Sequence, residues 1–348
     1  MTTLSRLCRT ALALCATLGL GAVQAQTATG DENRIQKQQE RRIEQPGNNA
    51  PMWREVRSGN EGYTSMKGRE VGVLVQSGGE TWRQIRNGPI TLYGGWLLII
   101  AALAIAAFYV TKGALKLHEK PAGRLIERFN SIERVTHWCV AISFVILAVS
   151  GLILLFGKHL LLPVIGYTLF AWLSMLAKNL HNFVGPFFIL SLLAMVVIYI
   201  KDNFWSADDA TWIAKAGGLF TGTHVPSGRF NFGEKGWFWV GAVMLGIAVS
   251  ITGAILLFPN FDQVRSTMQL AAVIHGVAGI FFMALSIAHI YMGTIGVEGA
   301  YQSMRTGFVD ETWAKEHHEL WYGEKKSGKR PQAGGGAVPA GAPHSKNS

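Results

Sequence analysis

Three cysteines are all that this 348-residue sequence contains, and two of them, Cys8 and Cys15, lie near its start. Cys139 is left alone inside an apolar run, so neither a disulfide framework nor a C-x-x-C-H attachment motif can be assembled. Charge is the second scarcity. Only 16% of residues are charged against 49% hydrophobic, and no formal charge falls within 135–157, 182–200, 236–258 or 270–294. Soluble domains rarely have that balance. Each of these runs is about long enough, or longer, to cross a hydrocarbon layer ~30 Å thick as a helix. A fifth run, Trp96 to Val110, is shorter and reads as a further span over 93–111. No internal repeat is visible. The expected class is an all-α integral membrane protein, a four-helix transmembrane core over 135–296 with one extra N-terminal transmembrane helix.

The beginning of the chain reads differently. Arg6 and Arg9 precede "ALALCATLGLGAV", and Val23-Gln24-Ala25 supplies small residues at the −3 and −1 positions of a cleavage site. Residues 1–25 are therefore expected to be a secretory signal peptide, with an uncleaved anchor as the alternative. The polar, Gly-, Asn- and Gln-containing stretch 26–92 that follows would then lie in the periplasm. Within it, "RIQKQQERRIEQPGNNAP" has the composition of a tether. "VGVLVQSGGETWRQIRNG" has a short strand-like run and a Gly-Gly turn, consistent with a small module.

The net charge of +10 could point to nucleic acid, but its distribution argues against that partner. Six Lys or Arg fall in 112–134, four in 201–235 and six in 297–330, whereas 158–180 and 259–270 hold two and one. Such alternation is the positive-inside rule, and it assigns the richer side to the cytoplasm. The chain is thus expected in a bacterial inner membrane as a multi-pass protein. Its mature N-terminus would be periplasmic, 112–134 a cytoplasmic linker, and its C-terminus cytoplasmic. Residues 297–324 form a cytoplasmic segment in which 311–324 could be a surface helix, and the Gly/Pro/Ala/Lys-rich stretch 325–348 reads as a disordered tail.

Four of the ten histidines sit inside or at the end of a core span: His137, His181, His275 and His289. Polar rings are costly in hydrocarbon, so a functional reading is the default, with interhelical hydrogen bonding as the bland alternative. His275 and His289 are fourteen residues apart, which leaves them only about 40° apart around a helix and about 21 Å apart along it. The charge-derived topology places His137 and His289 near the cytoplasmic face and His181 and His275 nearer the outside. Two imidazoles facing each other across a bundle are the axial ligands of a six-coordinate haem b, so two such haems, non-covalently bound, are expected. Zinc would want further ligands at each level, and a proton relay would be expected to use carboxylates, which these spans lack. Gly151, fourteen residues after His137, and Gly185 and Gly279, four after His181 and His275, would let a flat macrocycle approach or simply allow close helix packing.

The segments "RFNSIERVTHWCVAISFVILAVSG", "LHNFVGPFFI", "FNFGEKGWFW", "VIHGVAGIFFMALSIAHIYMG" and "GAYQSMRTGFVDETWAKEHHELWY" resemble the γ, or cytochrome b, subunit of respiratory formate dehydrogenases, in a long form with an N-terminal extension. The resemblance covers about residues 128–323, and related cytochromes b serve nickel–iron hydrogenases and thiosulfate reductases. It implies a di-haem cytochrome b that does not itself oxidise formate. Electrons would arrive from an iron–sulfur β subunit, fed by a catalytic α subunit, and leave to a quinone, either menaquinone or ubiquinone. It further implies that His181 and His275 ligate the outer haem and His137 and His289 the inner one. A loop asparagine near the inner haem, matching Asn231 with Gly233 beside it, would contribute to the quinone site.

Asn231 by itself would read as a turn residue, and Lys235 as a positive-inside anchor. His118, His159 and His224 read as solvated loop residues, and His317 and His318 as surface or partner contacts. A haem-free membrane anchor or transporter is the rival from a different functional class.

Overall fold

The computed structural model describes residues 78–218, 225–259, 261 and 263–328, with short stretches before them at 36–37, 53–54, 57–58, 62–63 and 73–75. The expected signal peptide with its cleavage after Ala25, His224, and the tail beyond residue 328 lie outside the described residues. These fall into two units. In the smaller, β1 (Gly62–Tyr63) pairs antiparallel with β2 (Val73–Val75), which is the strand-like run of the sequence.

The larger unit holds five helices long and apolar enough to cross a membrane: α1 (Gly78–Lys112), α2 (Ser131–Leu160), α3 (Leu162–Asp202), α5 (Phe232–Leu257) and α6 (Arg265–Gly296). Between them lie β3 (Leu125–Glu127) and the short helix α4 (Ala207–Ala214). After α6 come α7 (Ala300–Thr306), β4 (Phe308–Asp310), α8 (Glu311–His317) and α9 (Glu319–Ser327). Large apolar side chains such as Val149, Leu190, Val197 and Ile251 are exposed, as they must be on helices whose outer solvent is lipid.

Several boundaries depart from the sequence reading. The extra helix starts at Gly78 rather than 93, because Gly78-Gly79 opens a helix instead of a turn and Glu80 pairs with Arg83 in its first turns, 2.6 Å apart. The expected connection 158–180 is mostly helical. The chain turns at Gly166, whose φ of 75° suits a residue without Cβ, and then runs helically to residue 199. His181 therefore sits in the middle of α3, not at its start. Residues 311–324 form two helices broken at His318, whose φ of −141° is extended, and the second runs to Ser327, into the stretch expected to be disordered.

Two of the bundle helices, α2 and α5, start with N-caps of the same kind. Asn130 accepts from Glu133 N while Glu133 accepts from Asn130 N, and Asn231 and Glu234 repeat the arrangement at α5. Each satisfies two backbone donors that a helix start leaves orphaned. The buried core joins Phe129, just before α2, to Val140, Phe188, Leu192, Tyr199, Phe238 and Phe282 from α2, α3, α5 and α6. Lipid tails are as apolar as these side chains, so close contact rather than escape from water holds the helices together.

From Gly78 onward the N-terminal extension belongs to this larger unit. Helix α1 packs along α6, where Phe108 and Tyr109 set ring edges against Tyr291. The linker after it docks on the C-terminal segment. Backbone N–H groups of His118 and Glu119 donate to Glu316, those of Ala122 and Gly123 donate to Asp310, and β3 pairs antiparallel with β4. Beneath them Arg128 is buried, bonded to Glu234 at 2.9 Å and set 5.0 Å from the Trp313 ring.

Candidate functional site

The four intramembrane histidines meet in two pairs. His181 on α3 faces His275 on α6 with ring centroids 6.0 Å apart, and His137 on α2 faces His289 on α6 at 6.3 Å. These separations carry chemical information. With metal–imidazole bonds of about 2 Å and about 1.1 Å from nitrogen to ring centre, two rings on opposite sides of one ion have centroids about 6.3 Å apart. Rings bonded directly to each other through an N–H···N bond of about 2.9 Å would sit about 5 Å apart. The observed spacing fits the first arrangement at both levels. His137, His181 and His275 are half-buried and His289 is exposed between the helices.

A layer of phenylalanines separates the levels. Phe144 follows His137 by seven residues, Phe188 follows His181 by seven, and Phe282 lies seven from both His275 and His289. Seven residues are two helical turns, so three helices deliver their rings to one depth. Phe282 is buried there, 4.6 Å from Phe144 and 6.4 Å from Phe188.

Each ring of the His181/His275 pair is held by a hydroxyl on a neighbouring helix. Ser150 Oγ on α2 lies 2.8 Å from His181 Nδ1, and Thr252 Oγ1 on α5 lies 3.1 Å from His275 Nδ1. The residue after each hydroxyl is a glycine. A Cβ at Gly253 would stand 3.2 Å from His275 Cε1, so a side chain there would crowd the ring. A Cβ at Gly185 or Gly279 would meet nothing within 4 Å, which leaves space beside both histidines for a flat group. The other level is built differently. His137 Nδ1 is buried without a partner, and His289 is stacked on Trp237. Ser150, Thr252 and Trp237 went unread in the sequence. The available signal was a hydroxyl followed directly by glycine, Ser150-Gly151 and Thr252-Gly253, in two apolar spans.

Other candidates have structural partners. Asn231 uses its side-chain oxygen to cap α5, the turn role its residue type allows, and its amide nitrogen remains available. A Cβ at Gly233 would come 3.1 Å from Trp212. Lys235 is not a solvated anchor: it is buried and bonded to Asp209 at 2.8 Å. His318, expected at the surface, is 1% exposed and donates from Nδ1 to Gly228 O. Burial, with the Arg128 guanidinium nearby, pushes its ring down to about 3, so it is neutral at ordinary pH. His159 lies in the last turn of α2, and His118 bonds to Glu316. Among the described residues no cluster of three His, Cys, Asp or Glu could hold a bare metal ion. The cavity of about 540 Å³ lined by Arg86, Lys158 and Phe170 contains none of the four intramembrane histidines.

Residues 128–307, which include all four, match the family model described as prokaryotic cytochrome b561. The chain belongs to this family. It is also similar to the cytochrome b556(fdo) subunit of formate dehydrogenase from Escherichia coli K12, with 32% identity over 203 residues, 57% of this chain and 92% of that subunit. The nitrate-inducible cytochrome b556(Fdn) subunit from the same strain is 29% identical over 212 residues, and the cytochrome b556 subunit of Haemophilus influenzae 24% over 211. As a cytochrome b the chain is a membrane protein that binds haem b. The extension before residue 128 lies outside the family match.

Proposed function

We propose that this chain is the membrane cytochrome b subunit of a formate dehydrogenase, holding two haems b and passing electrons from an iron–sulfur subunit to a quinone. One observation carries the reading: two histidine pairs at two depths of one bundle, each at the separation that a shared axial metal requires. Haem b, when bound, supplies a one-electron redox centre. His181 and His275 hold one such centre, and His137 and His289 hold the other. Phe144, Phe188 and Phe282 fill the layer between them and exclude water. The similarity to formate dehydrogenase subunits supports the partner assignment.

The charge distribution supports an inner-membrane orientation with the His137/His289 level toward the cytoplasm. At that end Asn231 Nδ2 is free to donate a hydrogen bond to a quinone oxygen, with protons available at the water interface.

The test is a purified subunit assayed by pyridine haemochrome and by reduced-minus-oxidised spectra, with reporter fusions near residues 120, 215 and 310. The expected result is two b-type haems per chain, reduction by formate in the assembled complex, and cytoplasmic reporters. One haem or none per chain, or an external C-terminus, overturns the reading.

A further inference from the structure

We propose that Ser150 and Thr252 give the two centres unequal reduction potentials, the His181/His275 centre being the lower. The inference rests on the di-haem reading above. A hydroxyl has one proton to donate. Thr252 commits its proton to Ala248 O at 2.6 Å, and Ser150 commits its own to Leu147 O at 3.1 Å. When each ring carries its proton on Nδ1, the two oxygens accept it, from His275 Nδ1–H at 3.1 Å and His181 Nδ1–H at 2.8 Å. That tautomer leaves each Nε2 as the lone pair available to a metal.

The bond also changes the strength of the ligand. Drawing density along Nδ1–H makes Nε2 more basic, and a more basic ligand favours the oxidised, more highly charged iron. Both hydroxyls are shielded from solvent: Ser150 is 2% exposed and Thr252 6%, so water does not compete for the bond. The other level lacks this device at His137, whose Nδ1 is buried and unpartnered, while His289 is fixed by an aromatic face that accepts no ring proton. Its ligand field is weaker and its potential higher. An electron delivered at the His181/His275 level then moves downhill: the first centre is oxidised by one electron, the second is reduced by one, and no atom is transferred.

A spectroscopic redox titration of the purified complex tests this. Wild type should titrate as two separate one-electron components. Thr252→Val keeps the shape and loses the hydroxyl, and Ser150→Ala does the same at the other ring. Each should raise the lower component alone. The expected change is about tenfold in the reduced-to-oxidised ratio at fixed potential, the scale of outer-shell effects on a bound metal, which for a one-electron couple is about 59 mV. Thr252→Ser should retain both wild-type values. Haem content is measured on the same samples. Two haems of equal potential in wild type, unmoved potentials in haem-replete variants, or movement of the upper component would each overturn the inference and leave the di-haem reading standing. Fewer than two haems in wild type would instead remove the reading beneath it. If Ser150→Ala loses haem, Thr252→Val decides.

Discussion

Trp237 lies flat on His289, with ring centroids 4.6 Å apart and planes 14° from parallel. The indole reaches this position at the start of a π-helical stretch, Trp237–Leu245, whose widened turn displaces side chains from ordinary helical register. Its other neighbour is Phe282, at 5.8 Å, so one side chain connects the phenylalanine layer to the histidine.

Trp237→Leu should therefore loosen His289 without unfolding the bundle, since an aromatic pair contributes about 0.5–1.5 kcal/mol beyond its buried area. Haem content is expected to fall from two toward one per chain, with the remaining centre still reducible. Unchanged content and an unchanged low-temperature electron paramagnetic resonance spectrum would show that the stack positions nothing.

Because the rings pair within levels, His275→Ala and His289→Ala should remove different centres. His275→Ala is expected to abolish the component whose potential responds to Thr252→Val, and His289→Ala the other. Both should block quinone reduction by the complex. Loss of the same spectral component in the two variants would refute the pairing.

Asn231 does two separable things in this account, and Asn231→Asp separates them. An aspartate oxygen still caps α5, so thermal stability in detergent should hold, whereas losing the cap altogether in Asn231→Ala costs about 1 kcal/mol. Aspartate has no amide donor. Haem reoxidation by quinone should slow roughly ten- to hundredfold in both variants, the consequence of losing an interaction of about 1.5–3 kcal/mol. Stopped-flow reoxidation at the wild-type rate in Asn231→Asp would confine Asn231 to its cap.

The docked linker should open in acid. Burial pushes the Asp310 carboxyl up, but the backbone N–H groups of Thr312, Ala122 and Gly123 outweigh it and hold the group below the usual aspartate range. A depressed carboxylate stabilises the fold above its ordinary value, about 3.9, and that contribution disappears as pH falls through the lower folded value. Glu316, bonded to His118 N and Glu119 N, is shifted in the same direction against burial. Limited digestion within 113–127 by an acid-active protease should accelerate below about pH 4, and Asp310→Ala should show the faster rate already at neutral pH. Equal rates for wild type and variant at neutral pH would mean that the carboxylate does not hold the linker.

Membrane class, number of spans and the two depths of the histidines were legible along the chain, because hydropathy, charge bias and the spacing of His275 and His289 are one-dimensional quantities. The Asn-x-x-Glu caps of α2 and α5 are equally local. What surrounds the rings was not legible. Ser150 is 31 residues from His181 and Thr252 is 23 from His275, and each bond depends on the rotation of one helix about its axis against another. The same holds for Trp237 on His289, which needs the π-helical register of α5, and for Lys235, whose burial depends on Asp209 arriving from α4. The extent of each apolar run and its flanking charges set how deep a residue lies, but one solvent covers every outer face of a span. They therefore say little about which face meets which neighbour, and only the packed bundle decided that.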